Sequence, residues 1–264
     1  MARIIAVTNQ KGGVGKTTTC VNLAASLSAT KRRVLLVDMD PQGNATMGSG
    51  VDKNALALSG YDVLTKRQSA ADVIIHADAS GFDILAANGD LTAAEVELMN
   101  EIGREHRLRL QLNSVRDRYD FILVDCPPSL NLLTVNALSA ADSVLIPMQC
   151  EYYALEGLAA LMNTVEQIQE TVNPDLELEG ILRTMYDPRN SLTLDVSAQL
   201  NEYFGDKVYK AVIPRNVRLA EAPSYGVPAL KYDRTSKGAI AYLALAGEMV
   251  RRNGQQRKTQ PVAV

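Results

Sequence analysis

Short runs of aliphatic and β-branched residues punctuate the chain: RIIAVTN (3–9), RVLLVDMD (33–40), FDILAA (82–87), DFILVDCP (120–127), SVLIPM (143–148), LEGILRTMY (178–186) and KVYKAVIP (207–214). Their apolar residues are consecutive rather than alternating, as in strands covered on both faces, so a mainly parallel sheet between helices is predicted. Helical patterns are expected near residues 16–30, 91–117, 131–141, 154–171, 192–203 and 236–252. This β-α-β rhythm predicts an α/β fold, doubly wound, with a mostly parallel sheet and helices on both faces. Residues 52–80 have weaker periodicity and are expected to form short helices over one edge. Gly254 is expected to stop the last helix, which divides the chain into one domain, 1–253, and a polar, flexible tail, 254–264.

Composition narrows the class. With 264 residues, 47% hydrophobic and 22% charged, the chain carries enough apolar material for one buried core. No signal pattern opens it and no apolar run reaches the ~20 residues of a membrane span, and the scattered cysteines suit a reduced setting, so a cytoplasmic location is expected. Cys20, Cys126 and Cys150 are far apart and form no C-x-x-C pair, which argues against metal or iron–sulfur ligation. The net charge of −3 hides an asymmetry. From Leu178 onward 13 Lys and Arg face 8 Asp and Glu, a balance of +5, whereas the first 177 residues hold 14 against 22, a balance of −8. An acidic body with a basic last third can present a positive face to an anion, and scatter over a neutral surface fits the same counts.

The most specific chemistry lies in NQKGGVGKTT (9–18), between a predicted strand and a predicted helix. That is the context of a phosphate-binding loop. Gly12, Gly13 and Gly15 permit backbone angles that turn successive N–H groups toward phosphate oxygens, and the helix adds its positive end. Lys16 is placed for the β- and γ-phosphates of a nucleotide, and the Thr17 hydroxyl for Mg²⁺. The strict G-x-x-x-x-G-K-[ST] pattern fails at its first position, where Gln10 stands, leaving K-G-G-x-G-K-T with a second lysine, Lys11. Val14 and Thr18 complete the expected nucleotide-binding stretch. Two strand ends carry carboxylates. FILVDCPPS delivers Asp125, suited to a Mg²⁺ shell, and LLVDMDPQGN delivers Asp38 and Asp40, which alternation would place on one side to position water and metal.

The segments KGGVGKTT, LLVDMDPQGNAT, FILVDCPPSLNLLTVNAL, PMQCEYYALEGL and IPRNVRLAEAPS together resemble the ParA/Soj chromosome- and plasmid-partition ATPases, of the deviant Walker A (MinD/ParA) class, from about Arg3 to Arg252. The resemblance implies a deviant P-loop NTPase fold, ATP and Mg²⁺ as cofactors, and slow ATP hydrolysis. It implies that Lys11 reaches the phosphates of a partner subunit in an ATP-bound homodimer. A bulkier residue at Gly12 should then block dimerisation. Asp40 becomes the hydrolysis residue, while Asp38 and Asp125 support Mg²⁺ and its waters. Pro214 and Asn216 match positions lining the adenine, and the stretch 149–156, with Glu151, matches a dimer-facing segment. A lysine supplied in trans would tie stabilisation of the phosphoryl transition state to dimerisation, so that binding, assembly and competence to hydrolyse become one linked event.

The resemblance further implies sequence-nonspecific binding of double-stranded DNA by the ATP dimer, through Arg189 and Arg218, with Arg215 a further candidate. It implies stimulation by a ParB-type centromere-binding protein and a nucleoid-associated location. Chromosome, plasmid and other cargo stay open, although no extra amino-terminal DNA-binding domain is expected, which favours the short, chromosomal-type branch. A membrane-bound relative would need an amphipathic end rich in bulky apolar residues, and RRNGQQRKTQPVAV has none, so no membrane partner is expected. A scaffold that binds ATP without turnover is the alternative class, which a turnover assay with DNA and partner separates.

Overall fold

A computed structural model describes residues 1–259, with side chains described through Gln255. The described residues form one sheet of eight strands: β1 (Arg3–Val7), β2 (Val34–Asp38), β3 (Ile75–Ala77), β4 (Phe82–Leu85), β5 (Phe121–Asp125), β6 (Ser143–Gln149), β7 (Glu177–Tyr186) and β8 (Val208–Pro214). Their order is β3-β4-β2-β5-β1-β6-β7-β8. Every neighbouring pair is parallel except β3–β4. The doubly wound α/β fold expected from the hydrophobic runs is therefore present.

Consecutive apolar residues in the central strands serve two cores at once. Ile4 and Ala6 of β1, Leu35 and Val37 of β2, and Ile122 and Val124 of β5 pack on one face, beneath helix Ala154–Thr171 among others. Their neighbours Ile5, Val7, Leu36 and Leu123 pack on the other, against helix Lys16–Ala29 and the first turns of helix Lys237–Thr259. The period-2 geometry of a strand makes this division automatic. Helix Ala154–Thr171 buries Leu158, Leu161, Val165 and Ile168, a 3-4-3 spacing that keeps one face on the sheet.

After β1 the chain builds outward to β2, β4 and β3, returns to insert β5 beside β1, and then crosses to β6 on the far side. The winding reverses around β1 and β5, and the carboxyl ends there are where open parallel sheets bind ligands.

Three local expectations need correction. The helix expected over 91–117 is broken into Leu91–Leu98, a 3₁₀ turn at Arg104–His106 and helix Arg107–Val115. Gly103, with φ of 68°, makes the turn that the hydrophobic period alone passed over. Residues 52–80 do include short helices, Gly60–Leu64 and Ala70–Val73, but also β3, the antiparallel edge. Gly254 does not end the last helix, which continues to Thr259; the remainder of the expected tail, 260–264, lies outside the described residues. A helical glycine costs about 1 kcal/mol. Tyr242, Leu245, Ala246 and Met249, all buried, anchor the turns before it.

Candidate functional site

The phosphate loop follows β1. Gly13 and Gly15 have φ of 74° and 90°, left-handed values that a side chain would strain, whereas a Cβ on Gly12 would meet nothing within 4 Å. Gly15 caps helix Lys16–Ala29 with no side-chain hydrogen bond, so the first N–H groups of that helix stay available to an anion. The loop is held from below. Asn9 Nδ2 donates to the Pro147 carbonyl at 2.8 Å, Asn9 Oδ1 accepts from the Lys11 N–H at 3.0 Å, and Thr184 Oγ1 donates to the Val14 carbonyl at 2.8 Å. Gln10, which breaks the strict motif, donates to Thr164 Oγ1 at 3.2 Å and so fastens the loop to helix Ala154–Thr171.

The two lysines occupy opposite environments. Lys16 is buried and its ammonium donates to the Lys11 carbonyl at 3.2 Å, inside the loop. Burial draws its pKa down, opposed by the nearby Asp125 and Asp40 carboxylates. Lys11 lies on the exposed rim, its ammonium 2.6 Å from Glu151 Oε2. Thr17 and Thr18 are half-buried behind the loop.

Asp38 and Asp125 are paired residue to residue where β2 and β5 run in parallel, and strand alternation turns both toward helix Lys16–Ala29. Both are wholly buried. Asp38 Oδ2 accepts the Thr46 N–H and hydroxyl, each at 2.8 Å, and its Oδ1 accepts the Asp40 N–H at 3.1 Å. Asp125 Oδ1 accepts the Cys20 thiol at 3.4 Å, while its Oδ2 is buried with no hydrogen-bond partner. Burial raises both carboxyls above the usual range; the Asp40 charge raises Asp38 further and the Asp38 charge raises Asp125 further, while Thr46 offsets part of this at Asp38, and Thr17 and Cys20 part of it at Asp125. Paired buried carboxylates with one orphaned oxygen are costly without a cation, and an all-oxygen donor set with Thr17 suits Mg²⁺.

Asp40 departs from the expected alternation. β2 ends at Asp38, so Asp40 lies beyond the strand, half-buried, in a turn where its Oδ1 accepts the Gln42 N–H at 2.9 Å. It still faces the loop closely enough to act on Lys16.

The late segments end on the same edge of the sheet. Pro214 closes β8 opposite Tyr186, and Asn216 caps helix Val217–Glu221, its Oδ1 accepting the Arg218 N–H at 3.1 Å. Arg189, Arg215 and Arg218 are exposed. Arg189 is held in bidentate fashion by Asp187, at 2.9 and 2.8 Å, and Arg218 by Glu221 at 2.7 Å and Asp233 at 3.5 Å. Thr46, Cys20 and Thr184 were missed by sequence reasoning. Only Thr46 carried a signal, in the PQGNAT run directly after the two aspartates.

Comparison with known proteins gives the family of the chain. A family model described as an AAA domain matches residues 2–178. The chain is 54% identical to the sporulation initiation inhibitor protein Soj of Bacillus subtilis, over 94% of this chain and 98% of that one. It is 49% identical to the chromosome partitioning protein ParA of Myxococcus xanthus, over 100% and 93%. Among solved structures it superposes with TM-score 0.85 and 38% identity, over 98% of both chains, on a cobyrinic acid a,c-diamide synthase from Mycobacterium smegmatis with bound ATP analog and magnesium. The phosphate loop, its second lysine and the buried aspartate pair thus sit in a chain that belongs to the ParA/Soj family of partition ATPases.

Proposed function

We propose that this chain partitions DNA by a cycle of ATP-driven dimerisation, nonspecific DNA binding and slow hydrolysis. The observation that carries the reading is the contrast between its lysines. Lys16 is committed to its own loop, whereas Lys11 stands at the exposed rim beside Glu151, an exposure that supports a role on a second chain. Two subunits would meet over their loops, with Gly12 at the seam; a Cβ there meets nothing within 4 Å in the single chain, so an added side chain would act on the second subunit rather than on the fold.

Within each subunit, the N–H groups of the loop and of helix Lys16–Ala29 bind the phosphates, and Lys16 holds the β–γ region. Thr17, Asp38 and Asp125 would hold Mg²⁺ and its waters, which supply charge neutralisation at the phosphates. Asp40, fixed by the Gln42 N–H, orients the attacking water. Lys11 of the opposite subunit adds positive charge where the transferring phosphoryl group develops negative charge. Pro214 and Asn216 line the base. Arg189, Arg215 and Arg218, doubled in the dimer, bind DNA with an affinity that fades with salt. A ParB-type partner stimulates hydrolysis and so release, and the protein is cytoplasmic and nucleoid-associated. Among the described residues no helix is long and apolar enough to cross a membrane.

Gel filtration with ATP, ADP and no nucleotide, with DNA retention measured in each state, tests the cycle. A dimer that forms only with ATP and alone retains DNA is expected; a nucleotide-independent oligomeric state contradicts it. Turnover measured with DNA and the ParB-type partner separates the ATPase from a scaffold. Dimerisation without any stimulated turnover removes the enzymatic step.

A further inference from the structure

Three left-handed residues other than glycine occur among the described residues: Lys31, Lys66 and Met185. Lys31 and Lys66 follow helix ends, where that conformation is common. Met185, with φ of 48°, instead lies inside β7, where the pairing with β8 slips between Arg183 and Tyr186. A methionine in this region carries backbone strain that its surroundings must hold in place.

What holds it comes from three functional segments. Thr184, buried, bonds the Val14 carbonyl of the phosphate loop. Gln149 Nε2 donates to Met185 Sδ from the end of β6, where the stretch expected to face a second subunit begins. Two residues onward, Asp187 grips Arg189 and also accepts the Arg189 N–H at 3.1 Å. The far side of this loop is fastened as well. The Arg183 guanidinium donates to Ser197 Oγ and to the Tyr209 carbonyl, both at 2.7 Å, and so locks helix Ser191–Phe204 to β7 and β8. With both flanks fixed, a change of backbone at Met185 has only residues 187–190 to absorb it.

We propose that the Thr184–Met185 bulge is the joint through which the phosphate loop sets the position of the Arg189 loop. Movement of the Val14 carbonyl when nucleotide enters is passed by Thr184 to Met185, and the strained residue turns it into displacement of Asp187 and Arg189. Thr184 and Met185 are positioning residues in this scheme, which rests on the nucleotide- and DNA-binding reading above.

The readout is the ratio of DNA affinity at saturating ATP to that at saturating ADP. Thr184→Val keeps the side-chain shape and deletes the hydroxyl, and should cut the ratio by at least about fivefold, the lower end of ordinary allosteric coupling. Thr184→Ser, which keeps the hydroxyl, should restore it. Met185→Gly adopts the left-handed geometry without strain, so the bulge persists in both states; the ratio should narrow with no loss of melting temperature. Folded Thr184→Val and Met185→Gly proteins with the wild-type ratio would overturn the joint. Hydrogen exchange over residues 185–190 of the wild-type protein, with and without ATP, keeps the test independent of DNA. Nucleotide-dependent protection there supports the joint, and unchanged exchange overturns it. A wild-type protein that shows this protection but no ATP-dependent DNA binding would fail the functional reading and leave the joint standing.

Discussion

The centre of the carboxyl edge and its late rim are built on opposite electrostatic plans. At the centre, Asp38, Asp125 and Lys16 are buried, and one carboxylate oxygen has no hydrogen-bond partner. At the rim, Arg189 and Arg218 are exposed and already satisfied by Asp187, Glu221 and Asp233. Buried charges have no inexpensive alternative to their intended ligand, whereas exposed ones exchange one counter-ion for another at little cost. Substitutions at the centre should therefore act as switches, and those at the rim as adjustments.

The largest effect is expected at Lys16. Removing the ammonium inside the loop leaves nucleotide phosphates and the buried Asp125 without a neighbouring protein cation. Loss of a buried charge partner costs about 3–5 kcal/mol, so Lys16→Ala should weaken ATP binding by roughly 100-fold or more. Titration with a fluorescent ATP analogue measures this, and wild-type affinity would dissolve the contrast at its strongest point.

Lys11 should split the properties that Lys16 loses together. Its pair with Glu151 is a surface ion pair worth about 1 kcal/mol at most, so Lys11→Ala should fold and bind ATP as the wild type does. Partner-stimulated turnover should fall on the order of 1,000-fold, the scale of a cation supplied in trans. Gly12→Val sharpens the same point, since a Cβ at Gly12 meets nothing within 4 Å in the chain. It should melt like the wild type yet remain a monomer with ATP in gel filtration.

The aspartate pair predicts a pH dependence of intermediate size. Burial and repulsion from the Asp38 charge raise the folded-state pKa of Asp125 above its unfolded value of about 3.9. A raised acid stabilises the fold below the unfolded value, and that contribution is lost as pH climbs through the folded one. The nucleotide-free protein should accordingly lose stability from about pH 4 toward neutrality on account of this pair. Asp125→Asn should be more stable than the wild type near pH 7.5, by on the order of 1–3 kcal/mol, with the gap closing toward pH 4. Thermal melts without nucleotide or Mg²⁺ measure it, and parallel pH profiles would mean that the pair is not under strain.

The difference between centre and rim also explains what the sequence made legible. Strand β1, the glycine loop and helix Lys16–Ala29 are contiguous in the chain, and their apolar runs and glycines announce them locally. The meeting of Asp38 with Asp125 depends on the pairing of β2 with β5, eighty-odd residues apart, which the strand ends suggest but no local pattern fixes. Alternation carried the reading through Asp38 and failed at Asp40, because the strand ends between them. The edge strand β3 is three residues long, two of them exposed, too short and polar to stand out as a strand. Thr184 was invisible because its role depends on a carbonyl 170 residues away. At the rim, charge counts gave an excess of cations but not that Asp187 and Glu221 already hold them.

The smallest effects belong to those arginines, and their signs are the informative part. On the proposed DNA-binding reading, Arg189 or Arg218 must release a carboxylate before it takes a phosphate, so each adds little net affinity. Arg189→Ala and Arg218→Ala should each weaken ATP-dependent DNA retention only severalfold, while leaving dimerisation unchanged. The slope of log affinity against log salt should shallow by about one for each phosphate that is no longer neutralised, hence about two in a symmetric dimer. Asp187→Asn should move affinity the opposite way, because it frees Arg189 from its bidentate partner without removing the cation. Retention measured across a KCl series distinguishes these outcomes. An unchanged slope in both alanine variants would place the DNA face elsewhere, and weaker binding by Asp187→Asn would make the Asp187 bracket a support for Arg189 rather than its competitor.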